Sequence, residues 1–272
     1  MISQLMFLDL EQMDATPRIL QQIIDELRSR ADDLPMAHAG LREGMVTPAA
    51  FAADIPRIEQ WLDTQSIAAD GMDKRAAAAY MIGGMAWSVC IWMAAFALTG
   101  HKPIRRVAFE QERYWWGDPD AGHEYVRYPI SIEVGEGEPN FRETIEQIFA
   151  PIVAATMFAS GLSAGALWRL VADNVANGFL WAGKPLGQVG RGIEIATAIL
   201  SEEGRLNNGK TGFVEIRAGE VCDWFLVRGG CCRYYTTAGQ TRDDYCTSCV
   251  MRDRPDQIAR YTDYLASLQT LE

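Results

Sequence analysis

Histidine is scarce in this chain: 272 residues include three, His38, His101 and His123, far apart from one another. That scarcity counts against a Rieske centre, which needs two imidazoles on one iron, and against a site of two histidines and a carboxylate. Each histidine reads instead as a loop or helix-end residue. Positive charge is short as well. Lys and Arg total 25 against 36 Asp and Glu, for a net charge of −11 and a pI of about 4.8. Gripping nucleic acid phosphates or anionic lipid needs the opposite balance, so no nucleic acid partner is expected. An acidic surface tolerates neutral or cationic small ligands. The opening MISQLMFLDLEQMD has neither a basic n-region nor an apolar h-region, so no secretory signal is expected and the chain is placed in the cytoplasm.

Charge is missing altogether from residues 76–100, AAAAYMIGGMAWSVCIWMAAFALTG. That length can span a bilayer. Alanine and glycine dominate it, however, and the basic flanks and paired aromatic belts of a membrane span are absent, so it reads as a buried core helix. Peripheral association with a membrane surface is left open. Nucleotide fingerprints are incomplete too. Gly178 to Lys184 has the spacing of a phosphate-binding loop, but Pro185 stands where Ser or Thr is required, and Phe179, Leu180 and Trp181 fill the loop. A helix end explains the segment better. Gly187, Gly190 and Gly192 have the wrong order for a dinucleotide loop and follow no strand, so no stable NAD(P) site is expected.

What is present suits a sizeable core, because 49% of the residues are hydrophobic. Thr16-Pro17 starts a helix with Leu20, Ile23, Ile24 and Leu27 on one face. Thr47-Pro48 starts another with Phe51, Ile55, Ile58 and Leu62, interrupted by Pro56. Residues 106–115 and 125–134 alternate and are rich in β-branched and aromatic side chains, which predicts two strands joined by GDPDAGH. The Trp115-Trp116 pair is expected on a partly buried sheet face. Residues 141–181 read as helix, broken near Gly161 and Gly165, and 193–200 as a shorter one. Residues 213–217 and 221–227 form a hairpin around Ala218-Gly219. Pro255 opens a last helix with Ile258, Tyr261, Leu265 and Leu268 on one face. The expected fold class is α+β and predominantly helical, with a few antiparallel strands: a helical body over 1–210 and a small C-terminal metal-binding subdomain over 211–272.

That second part holds the chemistry. Four of the six cysteines, Cys231, Cys232, Cys246 and Cys249, fall within 19 positions. In a reducing compartment such a group is a metal site or redox centre before it is a disulfide framework. Neighbouring Cα atoms lie about 3.8 Å apart, so Cys231 and Cys232 both reach a small inorganic core. Cys246-Thr-Ser-Cys249 is a chelating turn. Gly229 and Gly230 allow the backbone a close approach beside it. Four thiolates suit tetrahedral zinc or an iron–sulfur cluster, although structural zinc usually draws on two separated chelating turns. Cys90 and Cys222 read as structural thiols in apolar surroundings.

VRGGCCRYY followed by YCTSC resembles the C-terminal signature of the FhuF-like ferric siderophore reductases, in which Cys-Cys and a later Cys-x-x-Cys hold a [2Fe-2S] cluster. Arg228 before the pair and Tyr235 after it also fit. GALWRLVADNVA resembles the family's helix with a Leu-Trp-x-x-x-x-Asn/Asp pattern. Thirteen residues separate Cys232 from Cys246 here, a longer spacer than the family's, which a loop insertion can absorb. The resemblance implies that Cys231, Cys232, Cys246 and Cys249 ligate the cluster, that the helical body over 1–210, with its central strand pair, binds the siderophore, and that a ferric siderophore of the hydroxamate kind is reduced by one-electron transfer. The product is ferrous iron for assimilation, and the electron comes from an external donor: a reduced ferredoxin, a flavoprotein or a small reductant. Arg228 and Arg233 are candidates for tuning the potential, with a solvated guanidinium as the alternative for each, and Tyr234 and Tyr235 for shielding the cluster from water. Two other functions fit the same cysteines: a zinc-stabilised binding module, and an iron–sulfur electron carrier for a partner enzyme.

Overall fold

A computed structural model describes residues 17–31, 34–116 and 123–268. The N-terminal stretch, the Thr16 cap and most of the GDPDAGH loop lie outside the described residues. The chain runs through α1 (Pro17–Arg30), β1 (Ala37–Ala39), α2 (Pro48–Ala53), α3 (Ile55–Ser66) and α4 (Lys74–Thr99). Four strands follow: β2 (Ile104–Phe109), β3 (Glu112–Trp116), β4 (His123–Arg127) and β5 (Ile130–Val134). Then come α5 (Phe141–Ser160), α6 (Ala164–Gly183), α7 (Val189–Ser201), the hairpin of β6 (Gly212–Ala218) and β7 (Val221–Val227), and α8 (Arg254–Leu268). The fold is α+β and predominantly helical, with small, mainly antiparallel sheets.

The uncharged segment is α4, and it runs through the middle of the core. Asp73 caps its start by accepting the Ala76 N–H at 2.6 Å, and Gly100 ends it in the left-handed region at φ 75°. It is long and apolar enough to cross a membrane, but 78% of its most apolar window is buried inside the fold. Its closest neighbour is α6. A Cβ at Gly178 would stand 2.7 Å from the Cys90 carbonyl carbon and 2.8 Å from the Ile91 nitrogen, so the bare glycine brings the two backbones together. Cys90 is fully buried in that contact, and burial pushes its thiol far above the usual range.

Several expectations change. Asp54, not Pro56, separates α2 from α3: it closes α2 and accepts the Arg57 N–H, while Pro56 occupies the first turn of α3, where its missing N–H costs nothing. Ile55 is consequently exposed. The two long strands each break in two. Pro129 has no N–H to give, and the ladder re-forms around it as β2 with β5 and β3 with β4. Tyr128, beside the break, turns into the core and donates its hydroxyl to Gln65 Oε1 at 2.7 Å. The three-residue β1 pairs in parallel with β5; Ala-His-Ala is too short to show a period. His38 and His123 thus lie on strands rather than in loops. Trp115 is 54% exposed on the β3–β4 ribbon instead of partly buried, and the Trp116 side chain lies outside the described residues. Gly161 alone breaks the long helix, at φ 68°, and Gly165 sits inside α6.

At the C-terminal end Ile216, Ala218, Tyr261 and Leu265 form a second, small core between the hairpin and α8, while Phe213 and Leu226 pack on the main one. The inward face of α8 is narrower than its sequence suggests. Tyr261 and Leu265 are buried, Ile258 and Leu268 are exposed, and Gln257 takes an inward place. A two-stranded hairpin is too narrow to cover a wider stripe.

Candidate metal centre

β7 delivers the chain into Arg228-Gly229-Gly230, and a buried carboxylate on α6 receives it. Asp173 Oδ1 accepts the Gly229 N–H at 2.7 Å and the Thr211 hydroxyl at 2.6 Å. Its Oδ2 accepts the Gly230 N–H at 2.9 Å and faces Arg228 Nε at 3.4 Å. Burial pushes this carboxyl up, and Arg228, Thr211 and the two backbone donors pull it back. The glycines are needed for this approach. A Cβ on Gly230 would lie 2.9 Å from Asp173 Oδ2, and one on Gly229 2.3 Å from Asn208 Nδ2. The close approach expected of the pair is therefore made, and it is made toward α6 and Asn208.

The second turn is held from α8 and the residues just before it. Cys249 N–H bonds the Cys246 carbonyl at 3.0 Å, and Arg252 N–H bonds the Cys249 carbonyl at 3.0 Å. The Arg252 side chain is only 2% exposed. It pairs with Asp256 at 2.8 Å and donates to the Tyr245, Cys246 and Asp243 carbonyls. Gln257 Nε2 donates to the Cys249 carbonyl at 2.9 Å. The thirteen-residue spacer is docked rather than loose: Ala238 N–H bonds the Asp70 carbonyl at 2.8 Å, Thr237 is buried, and Arg233 reaches Asp73 at 3.3 Å.

These turns bring Cys231, Cys232, Cys246 and Cys249 to the wall of one small pocket, with Arg228, Tyr234 and Tyr235 beside them. Arg228 Nη1 lies 3.8 Å from Cys232 Sγ and 3.9 Å from Cys246 Sγ, bridging the two turns. The Arg233 N–H points at Cys231 Sγ from 3.4 Å, out of a left-handed backbone at φ 64°. Of the two arginines, then, Arg228 directs its guanidinium at the sulfurs and Arg233 directs only its backbone there. Tyr235 packs edge-on to Tyr245 over the pocket.

Burial pushes the Cys231 and Cys246 thiols up; the Arg233 N–H and then Arg228 pull Cys231 back, and Arg228 pulls Cys246 back. For Arg228 itself burial favours the neutral form, but Cys232, Asp173 and Cys246 outweigh it and keep the guanidinium charged. Among the described residues no three His, Cys, Asp or Glu side chains are already gathered around a single ion. The donor set nevertheless fits a four-thiolate group: four sulfurs on one pocket, a backbone N–H aimed at one of them, and a buried cation to offset their charge.

The other cysteines stay outside. Cys222 is exposed on β7, hydrogen-bonded to Glu215, so the expected apolar surroundings are wrong for it. No histidine lines the pocket. Sequence reasoning missed three supports: Asp173, Arg252 and Gln257. Asp173 had a signal, since it ends the Leu167-Trp168 pattern and is the only acidic residue of α6. Arg252 and Gln257 sit among ordinary surface-type residues and carry none.

Beside the cysteine pocket lies an open cleft of roughly 520 Å³ between α4, α6, β7 and α8, and Cys232 and Arg228 line both. No protein-family model, curated protein or solved structure matches this chain.

Proposed function

We propose that the protein is a ferric siderophore reductase, with Cys231, Cys232, Cys246 and Cys249 holding a [2Fe-2S] cluster. The observation that carries this reading is the convergence of the four sulfurs on one pocket with the Arg228 guanidinium between the two turns. Bound there, the cluster supplies a one-electron couple, which in all-cysteine surroundings can be as low as about −400 mV. The chain's own residues set its environment. Arg228 lays positive charge against the thiolates, which raises the potential, and Tyr234 and Tyr235 keep water from the sulfurs.

The substrate is a ferric ion in an oxygen-donor chelate such as a hydroxamate. It accepts one electron, becomes ferrous, and is then held far more weakly by the hard oxygen ligands. An external donor, a reduced ferredoxin, flavoprotein or small reductant, restores the electron. Visible and EPR spectra of the anaerobic protein, before and after dithionite, test the assignment. About two irons and two acid-labile sulfides per chain, and a reduced S = 1/2 signal, are expected. A colourless protein containing zinc overturns it in favour of the binding module. A reduced cluster that no ferric chelate reoxidises leaves an electron carrier.

A further inference from the structure

Gly83 sits inside α4, where glycine is a poorer helix former than alanine. Its neighbour Gly84 has a packing reason, because a Cβ there would meet the Tyr128 ring at 2.7 Å. Gly83 has none: a Cβ would find nothing within 4 Å. The space it leaves open is the cleft that shares Cys232 and Arg228 with the cysteine pocket. Across that space stands the Asn177 carboxamide of α6, without a protein partner among the described residues. Trp181 is 42% exposed and Tyr264 54% exposed along the same walls.

The charged groups of the cleft are paired internally. Lys184 bonds Asp223 at 2.5 Å and lies over the Trp181 and Phe225 rings, each 5.3 Å from its ammonium. Arg228 faces Asp173. Among the described residues that line the cleft, no carboxylate or cation is left to neutralise a multiply charged ligand, and the chain as a whole carries −11. The volume lies in the range that takes a drug-sized ligand, and flat aromatic walls with a free amide suit a compact, amide-rich molecule.

Building on the reductase reading, we propose that this cleft is the chelate site: it takes a ferric chelate that is neutral or singly positive, seated between the bare face of α4 at Gly83 and the Asn177 and Trp181 side chains of α6. The iron then stands next to Cys232, so the electron crosses one residue. A trianionic chelate is excluded by the paired charges and the acidic surface.

The test uses redox-inert gallium(III) complexes and the cluster-loaded protein, with binding read by calorimetry. Gallium desferrioxamine should bind the native protein, and a gallium tris-catecholate at least about tenfold more weakly. Gly83→Leu fills the cleft without touching the core, so it should weaken gallium desferrioxamine more than about tenfold while the visible and EPR spectra stay native. Reoxidation of its dithionite-reduced cluster by ferricyanide, which needs no cleft, should keep its rate. Trp181→Ala, at an exposed position, should weaken binding in the same direction. Native affinity in both variants, no binding by the native protein, or equal binding of the trianion overturns the site while leaving the cluster standing. A protein without iron and sulfide overturns the reductase reading itself.

Discussion

Asp173, midway along α6, accepts the Gly230 N–H at 2.9 Å across 57 positions of sequence. That bond, with its partner to Gly229, fixes the Cys231-Cys232 turn to a buried position on α6, within the main core. The main core thus decides where the first two sulfurs stand.

Replacing Asp173 by Ala should leave two backbone N–H groups and the buried Arg228 unpaired, at a cost of about 3–5 kcal/mol. Asp173→Asn keeps the shape but cannot accept both N–H groups and the guanidinium, and should cost less. Urea unfolding of both variants checks the order. A near-native midpoint for Asp173→Ala would show that the turn is held by something else.

Cys232→Ser should bleach the cluster, since it removes one of the four thiolates that line the pocket. Cys222→Ser, at an exposed position away from the pocket, should leave iron content and spectrum unchanged. An unaltered spectrum in Cys232→Ser would refute the ligand assignment.

Arg228→Gln removes a positive charge from beside two sulfurs and should lower the midpoint potential by on the order of 100 mV. Arg228→Lys, which keeps the charge, should recover most of that shift. Spectroelectrochemical titration of the three proteins separates charge from packing, because a purely structural role would move the lysine and glutamine variants alike.

Gly178→Ala places a methyl group against the α4 backbone and should destabilise by about 1–3 kcal/mol despite the better helix propensity of alanine. Gly83→Ala, its counterpart on the facing helix, meets nothing and should stabilise by up to about 1 kcal/mol. Thermal unfolding of the pair checks both signs.

His101, half-buried against Phe96, is held below its ordinary 6.5 by burial, and His38 is shifted the same way. In each case the native value lies below the unfolded one, so the unfolded chain binds the proton first as the pH falls. Stability is complete above about pH 7 and declines as the pH drops through 6.5 toward the lower native values. The urea midpoint should fall between pH 7.5 and 5.5, with a shallower slope in His101→Gln. An equal slope would place the titrating group elsewhere.

The sequence by itself determined the helical class, the central uncharged helix, the hairpin before the cysteines and the four sulfurs as one group. All of these rest on local signals: caps, periods, turn dipeptides and spacing. It could not determine what holds the two cysteine turns, because Asp173 reaches Gly229 and Gly230 across more than fifty positions and Arg252 looks like any surface arginine until its carbonyl partners close around it. The same holds for the broken strands, where Tyr128 turns inward for a partner on α3, and for α8, whose inward face is set by the width of the hairpin beneath it. Tertiary structure alone decided that Gly84 is bare to admit a ring and Gly83 is bare to leave a space. Two adjacent glycines are indistinguishable in sequence, and only the neighbours that packing brings to each one tell them apart.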